Sequence, residues 1–316
     1  MRISLLTMTN MSTPTTLPIS TQHVTRQFSR RADLADAQFL YGEIARRMDE
    51  RLRLVRLEPT SILDAGCGAG QQFPLLHKRY PNARYLGQDL SIELLNHAKK
   101  RVSPSLPGLV RTWLNKQRGI EPLATWLQND LSQTGLPPES LDLVWSNLAL
   151  HWHPAPHDVL AEWGRVLKLN GLVFFSCFGP ATLQELRAAL TTAGLQTATP
   201  NFVDMHDFGD LLIEKGFADP VMDQEILTLT YDTPERLLED VRALGGNPAL
   251  GRRAGLAGKS WRTRLLNALD SQRREDGKIH LTIEVAYGHA WRIGTLRSTP
   301  SETRISVSAI QRKSAG

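Results

Sequence analysis

The stretch SILDAGCGAG, residues Ser61–Gly70, decides how this chain folds. Its first half is a short apolar run that predicts a buried strand, and its second half places glycines at 66, 68 and 70. Glycine permits a sharp backbone turn and lets a ligand approach the main chain where a Cβ would block it. A helical pattern then continues to Arg79. The stretch therefore predicts a strand, a glycine turn and a helix, with a ligand held at the turn.

The same alternation of strand and helix patterns continues along the chain, with further strands expected at Arg84–Gln88, Trp126–Gln128, Leu141–Ser146 and Leu172–Phe178. Asn170-Gly171 predicts a turn before the last of these strands, and Pro180 stands where the next helix would begin. Strands separated by helices form βαβ units, so the fold class is α/β with a doubly wound, mostly parallel sheet. Two alternating segments, Leu227–Tyr231 and His280–Tyr287, predict that the C-terminal half completes this sheet and adds a cap.

We expect one domain spanning residues 24–296, with a helical lid from Val24 to Leu54, between tails at 1–23 and 297–316. Ser103–Thr125 holds three prolines and little periodicity, which indicates an insertion. Before the first acidic residue, Asp33, the chain holds Arg2, Arg26, Arg30 and Arg31 among many Ser and Thr, which is typical of an organelle transit peptide or of a disordered tail. Because no amphipathic helix is visible there, we expect the tail.

Composition narrows the class of protein further. The 316 residues carry 37 Lys and Arg against 32 Asp and Glu, a net charge of +5 that suits an anionic substrate, an acidic protein or a nucleic acid. The cations form no stripe interleaved with exposed aromatics, which argues against nucleic acid. No apolar run is long enough for a membrane span. The two cysteines are far apart, which favours a reducing, cytoplasmic location.

A carboxylate on the next strand indicates what the turn binds. Asp89 ends that strand, where it can accept hydrogen bonds from the two hydroxyls of a ribose, as acids do in dinucleotide-binding folds. A nicotinamide fingerprint needs its third glycine at position 71, which is Gln71 here. The sequence therefore predicts an adenosine-type ligand, with a nicotinamide cofactor as the less favoured alternative.

The ordered set of motifs resembles the class I S-adenosylmethionine-dependent methyltransferases, whose fold is a Rossmann-like, seven-stranded sheet. The resemblance implies S-adenosylmethionine as methyl donor, with Asp89 on its ribose and Asp130 on its adenine amino group. The donor-binding residues implied in this way are Asp64, Gly66, Cys67, Gly68, Gly70, Asp89, Leu90, Asp130, Leu131 and Asn147.

More specific blocks between Val24 and Trp291 are similar to the malonyl-[acyl-carrier protein] O-methyltransferases of biotin synthesis, among them Ser146–Trp152, Phe178–Tyr231 and Tyr287–Trp291. The resemblance implies methylation of the free carboxylate of a malonyl thioester, which then serves as a primer for pimeloyl synthesis, and an acyl carrier protein as partner. One departure is Ala35-Asp36, where many relatives carry a Tyr-Asp pair. A branch that assembles mitochondrial respiratory complex I and modifies an arginine shares much of this pattern and stays as an alternative.

The reaction itself limits what the substrate pocket needs. A carboxylate is already ionised at neutral pH, so no general base is required. A cation clamped on the attacking oxygen would hinder attack, so we expect a looser cation, for which Arg31 and Arg187 are the candidates. No spacing fits a known zinc motif, so no metal is expected. The full set of substrate-pocket candidates is His151, Trp152, Asp36, Arg31, Arg187 and Tyr287.

A basic cluster near one predicted helix is formed by Arg252, Arg253, Lys259, Arg262 and Arg264. Such a cluster is either a solvated helix face or a docking surface for an acidic carrier protein. We expect the protein to act as a monomer.

Overall fold

The computed structural model describes residues 16–31, 34–102, 123–253, 255 and 258–294. The first fifteen residues of the expected N-terminal tail, positions 103–122 of the expected insertion and the expected C-terminal tail lie outside these ranges.

The described residues contain one seven-stranded sheet. Its strands are β1 (Ser61–Ala65), β2 (Arg84–Asp89), β3 (Ala124–Gln128), β4 (Leu141–Asn147), β5 (Leu167–Phe178), β6 (Phe217–Tyr231) and β7 (Ile279–Arg292). They lie in the order β3-β2-β1-β4-β5-β7-β6. β1 to β5 pair in parallel, and β7 is antiparallel to both of its neighbours. The mostly parallel Rossmann-like sheet is thus confirmed, and the C-terminal half completes it as expected.

Helices cover both faces of the sheet. Those in the described part are α1 (Thr21–Ser29), α2 (Gln38–Leu52), α3 (Phe73–Arg79), α4 (Ile92–Val102), α5 (Pro156–Val166), α6 (Gln184–Thr192), α7 (Met205–Glu214), α8 (Pro234–Ala243) and α9 (Lys259–Asp270). Successive residues of β4 enter different cores: Trp145 packs in one with Met48 of α2, and Val144 in the other with Trp163 of α5. A sheet buried on both faces is what βαβ crossovers produce. Of these helices, none has the length and apolar character that crossing a bilayer requires.

The glycine turn is anchored to the end of β2. The main-chain N–H groups of Gly66 and Cys67 both donate to the carbonyl oxygen of Gln88, at 2.8 and 2.9 Å. Gly66, Gly68 and Gly70 all have positive φ, a conformation that glycine adopts without penalty. These anchors hold the turn at the carboxyl edge of the sheet, between β1 and α3.

Gly70 has a packing role. A Cβ at this position would lie 2.8 Å from the Trp126 ring and 3.0 Å from the Cβ of Ala98. Trp126 is on β3 and Ala98 is on α4, so the absence of a side chain at position 70 lets the turn fit against both elements.

The lid begins earlier than the expected boundary at Val24. Ile19 is buried and forms an isolated bridge with Ala249. Ser20 caps α1, because its Oγ accepts from the main-chain N–H of His23 at 3.2 Å. The chain therefore packs on the domain from before α1, within the segment that was expected to be tail.

Two expectations about β5 and its surroundings were wrong. Asn170-Gly171 does not form a turn between a helix and a strand, because β5 begins at Leu167 and includes both residues. The pairing with β4 jumps from Leu141–Leu167 to Leu143–Leu172, so the extra residues form a bulge. Pro180 does not start a helix either, since the next helix begins at Gln184. The intervening segment is instead bound to β7, through the N–H groups of Gly179 and Leu183.

We predict that Gly66→Ala lowers the free energy of unfolding by about 2–5 kcal/mol. The positive φ accounts for roughly 1–2 kcal/mol of this, and the rest comes from overpacking, because the new Cβ would collide with the Cβ of Ala149. Urea denaturation of Gly66→Ala and of the double variant with Ala149→Gly would separate the two effects. Because Ala149→Gly removes the collision, the double variant should be less stable than Ala149→Gly alone only by the part that comes from the positive φ. A Gly66→Ala protein as stable as its parent would contradict this account of the turn.

Candidate active site

A cavity lies at the carboxyl edge of β1, β2 and β4, beneath α1. In open α/β sheets this edge, at the point where strand order reverses, is where ligands bind. Eight of the ten predicted donor-binding residues line the cavity: Gly66, Cys67, Gly68, Asp89, Leu90, Asp130, Leu131 and Asn147. The structure thus brings together predicted residues that are up to 81 positions apart in the sequence. A hydrogen bond from Ser146 to the carbonyl oxygen of Ala65 joins the neighbouring strand ends.

Asp89 is held in place by main-chain donors. Its Oδ2 accepts from the N–H of Gly68 at 3.0 Å, and its Oδ1 accepts from the N–H of Ser91 at 2.8 Å. Burial raises the pKa of Asp89, and these backbone hydrogen bonds oppose the rise. Each carboxylate oxygen can accept more than one hydrogen bond, so the group can still receive hydroxyls from a ligand.

Asp130 is oriented by a histidine. Its Oδ1 accepts from the main-chain N–H and the hydroxyl of Ser132, at 2.8 and 2.7 Å, and lies 3.0 Å from Nε2 of His153. Nδ1 of His153 accepts from the N–H of Ala155 at 3.0 Å, which places the proton of the neutral ring on Nε2. The hydrogen bond from His153 holds the pKa of Asp130 below its usual range. Because all three bonds fall on one oxygen, the other can accept from a ligand amine.

Asn147 connects the lid to the sheet. Its Nδ2 donates to the carbonyl oxygen of Tyr41 at 2.9 Å, and its Oδ1 accepts from the hydroxyl of Ser176 at 3.0 Å. The side chain therefore fixes α2 over the end of β4 while also lining the cavity.

Asp64 and Gly70 do not line the cavity. Asp64 is buried beneath the glycine turn, where its Oδ2 accepts from the hydroxyl of Tyr85 at 2.5 Å and its Oδ1 has no hydrogen-bond partner. Burial raises the pKa of Asp64 to about 7. The place of Gly70 is explained by its packing against β3 and α4.

Among the substrate-pocket candidates, Trp152 lines the cavity and meets Phe28 of the lid edge-on, with 5.8 Å between the ring centroids. His151 lies behind it, packed on Phe178, and its Nδ1 accepts from the N–H of that residue at 3.3 Å. Burial lowers the pKa of His151 to about 3, so the ring is neutral. It can donate a hydrogen bond but cannot carry a charge near neutral pH.

The other four candidates lie outside the cavity lining. Asp36 is exposed on the lid. Arg187 sits at a separate concavity, and its guanidinium donates to the carbonyl oxygens of Thr182 and Pro180, both at 2.6 Å. Tyr287 lies on β7 with the guanidinium of Arg51 3.9 Å from its ring centroid. Arg31 is just behind the lid wall, against Phe28.

Sequence reasoning missed much of the lid side of the site. The additional lining residues include Thr21, Val24, Thr25, Phe28, Leu34, Gln38, Tyr41 and His153. The first four have the spacing of one helix face; Thr21 lies in the expected tail, and the other three lie in the expected lid but were not predicted as site residues. His153 gave no such signal, because its partner Asp130 is distant in the sequence.

With this geometry established, comparisons define the class of protein. Residues 63–175 match a family model described as a methyltransferase domain. The YcgJ protein of Bacillus subtilis has a similar fold, with a TM-score of 0.52 and 13% identity, covering 80% of this chain and 99% of that one. A phosphoethanolamine N-methyltransferase of Haemonchus contortus, in complex with S-adenosylhomocysteine, gives a TM-score of 0.51 at 14% identity, over 85% and 60% of the two chains. The fold is that of a class I methyltransferase.

Sequence relatives specify the family. A malonyl-[acyl-carrier protein] O-methyltransferase of Gallionella capsiferriformans is 42% identical over 267 residues, which are 84% of this chain and 88% of the relative. The protein of that name from Halorhodospira halophila is 36% identical over 94% of this chain and 99% of its own. The chain belongs to the malonyl-[acyl-carrier protein] O-methyltransferase family, which confirms the resemblance found in the sequence motifs.

We predict that Asp89→Ala weakens binding of S-adenosylhomocysteine by at least about 100-fold, because two hydrogen bonds to a charged acceptor would be lost. Titration calorimetry measures this directly. Asp158→Ala, which removes an exposed carboxylate on α5, is the control and should bind as the parent does. Asp89→Asn retains the shape of the side chain and reports whether folding is preserved. Unchanged affinity in Asp89→Ala would contradict the predicted ribose contact.

Proposed function

We propose that this protein transfers the methyl group of S-adenosylmethionine to the free carboxylate of a malonyl thioester carried on an acyl carrier protein. The observation that carries the proposal is the cavity at the glycine turn, in which Asp89 and Asp130 stand at adjoining strand ends. The family supports the substrate, since relatives at 34–42% identity bear this name.

The residues present fit the donor. The glycine turn exposes main chain that no Cβ covers, Asp89 can accept from ribose hydroxyls, and Asp130 has an oxygen left for the adenine amino group. When bound, S-adenosylmethionine supplies a methyl group activated by a sulfonium. Among the described residues, no group of His, Cys, Asp or Glu could hold a metal ion.

The work left to the protein is to position the reactants and to exclude water. Methylation of a carboxylate releases no proton from the nucleophile, so no side chain needs to act as a base. Holding the two reactants in line can contribute roughly 7–11 kcal/mol to lowering the barrier. The apolar lining residues Val24, Phe28, Leu34, Leu148 and Trp152 suit a dry pocket for a partly desolvated carboxylate.

The two alternatives are less well supported. A respiratory assembly role would not require the malonyl specificity named for relatives that match most of this chain. A nicotinamide cofactor is disfavoured by Gln71 in place of the third glycine and by the methyltransferase family match.

Mass spectrometry of malonyl-acyl carrier protein incubated with this protein and S-adenosylmethionine tests the proposal. We expect the carrier to gain the mass of one methylene unit, and acetyl-acyl carrier protein, which lacks the free carboxylate, to gain nothing. An unchanged malonyl carrier, with the donor shown to bind, would contradict the proposed substrate.

The basic cluster is the surface we propose for the carrier. Arg253, Lys259, Arg262 and Arg264 are exposed. Nη2 of Arg252 lies 3.0 Å from Nδ1 of His23, which ties the cluster to the lid helix over the cavity. Arg253 and Arg264 both bond to the segment 193–198, by the main chain and by the guanidinium respectively. The cluster therefore extends outward from the lid, where the acidic helices of a carrier could approach.

We predict that reversing Arg253, Lys259 and Arg262 to Glu lowers kcat/KM for the malonyl carrier by about 10- to 100-fold at low salt, because electrostatic steering is lost. Turnover of malonyl-pantetheine, which lacks the carrier, should stay the same. The matched control reverses Arg56, Lys78 and Arg84, which are exposed at the opposite edge of the sheet. An equal loss on both substrates would rule out the docking role.

A further inference from the structure

Arg31 is a cation set into the wall behind the cavity. It follows α1, and its guanidinium lies 5.2 Å from the ring centroid of Phe28, while Nη2 donates to Oε1 of Gln27 at 3.2 Å. The same nitrogen would be 3.4 Å from a Cβ at Gly246, so the loop after α8 passes close by. Phe28 and Tyr41, which both interact with Arg31, line the cavity.

Among the residues that the structure describes, no carboxylate forms an ion pair with this guanidinium. Its Nη1 is buried from solvent without a hydrogen-bond partner, and it is the only cationic atom with that status among the described residues. Burial lowers the pKa of Arg31, with the nearby Tyr41 opposing the shift. The side chain as a whole is only partly buried, but a cationic N–H group shut off from water without an acceptor is unfavourable in the free protein, and no described contact of the fold offsets it.

The cavity itself offers no positive charge to an anionic substrate. Its lining contains the carboxylates of Asp89 and Asp130 and, within the described part of the chain, no Arg or Lys. Arg31 lies against Phe28, which lines the cavity and meets Trp152 edge-on. A substrate carboxylate beside Trp152 would therefore be on the side of the cavity that Arg31 makes positive.

We propose that Arg31 selects substrates with a free carboxylate by its electric field across the aromatic wall, without direct contact; this inference rests on the proposed function. At the effective dielectric of about 20 that describes partly buried sites, a charge one side chain away still attracts an anion. Because the guanidinium forms no hydrogen bond with the attacking oxygen, the lone pairs of that oxygen stay free for the methyl group. A guanidinium paired directly with the substrate carboxylate would stabilise the anion most before the reaction, when its charge is largest. Such a pair would therefore slow the transfer.

The test compares two ligands that differ only in the carboxylate. Dissociation constants of malonyl-pantetheine and acetyl-pantetheine are measured with S-adenosylhomocysteine saturating, and their ratio gives the preference for the carboxylate. We expect Arg31→Met to reduce this preference about 10- to 100-fold. Arg31→Lys, which keeps the charge but loses the planar fork, should retain most of it. Arg30→Met removes an equal charge from an exposed neighbour and should leave the preference unchanged.

Further readouts separate this role from a structural one. Every variant should bind S-adenosylhomocysteine like the parent, and Arg31→Met should melt close to the parent, because the loss of the bond to Gln27 is offset by removal of a buried N–H group without an acceptor. If Arg31→Met no longer binds S-adenosylhomocysteine, Arg31→Gln is used as the neutral variant instead. A preference retained in the folded neutral variant would overturn the role of Arg31. A parent protein that does not favour malonyl-pantetheine would instead overturn the proposed function, and this inference with it.

Discussion

The structure depends on the attachment of the glycine turn to the end of β2. Two consecutive N–H groups of the turn share the carbonyl of Gln88, and a third, from Gly68, donates to the carboxylate of Asp89. One short strand end thus both shapes the turn and presents the carboxylate that faces the cavity. Glycines are needed because the backbone there has positive φ and passes very close to the segment after β4, to β3 and to α4. Any change at this junction alters the fold and the ligand site together.

The two parts of the sheet serve different purposes. The parallel strands β1 to β5 place polar groups at one edge, where Asp89, Asp130 and Asn147 meet. The antiparallel strands β6 and β7 extend the sheet beyond β5, and helices of the C-terminal half pack against them. The lid closes the cavity from the other side, with Leu34 packed on Ala69 of the turn and on Leu94 of α4. The residues proposed to hold the donor thus lie at strand ends, and those proposed to face the substrate lie mainly on helices.

That most residues proposed for the donor lie together could be predicted from the sequence, because their signals are local. A strand, a glycine turn and an acid at the end of the next strand lie within 29 residues, and parallel pairing brings strand ends together without further information. Asp64 and Gly70 are exceptions, because they were predicted to bind the donor but do not line the cavity. They support the glycine turn instead. The turn signal at Asn170-Gly171 misled for a related reason, since the same residues also suit a bulge within a strand.

The substrate half could not be predicted because it depends on contacts between distant segments. Tyr287 and Arg187 carry suitable chemistry but lie outside the cavity. The guanidinium of Arg51 lies over the Tyr287 ring, and Arg187 donates to carbonyl oxygens in the segment after β5. Arg31 differs in that no acid among the described residues pairs with it, which no sequence pattern reveals. The orientation of Asp130 by His153 likewise arises from a turn after β4 folding back on the end of β3.

A crystal structure of this protein with S-adenosylhomocysteine tests the central claim most directly. The account predicts both ribose hydroxyls within hydrogen-bonding distance of the Asp89 carboxylate, the adenine beside Asp130, and the amino acid portion against the glycine turn. A nucleoside bound elsewhere, or an Asp89 side chain turned away from the sugar, would contradict it.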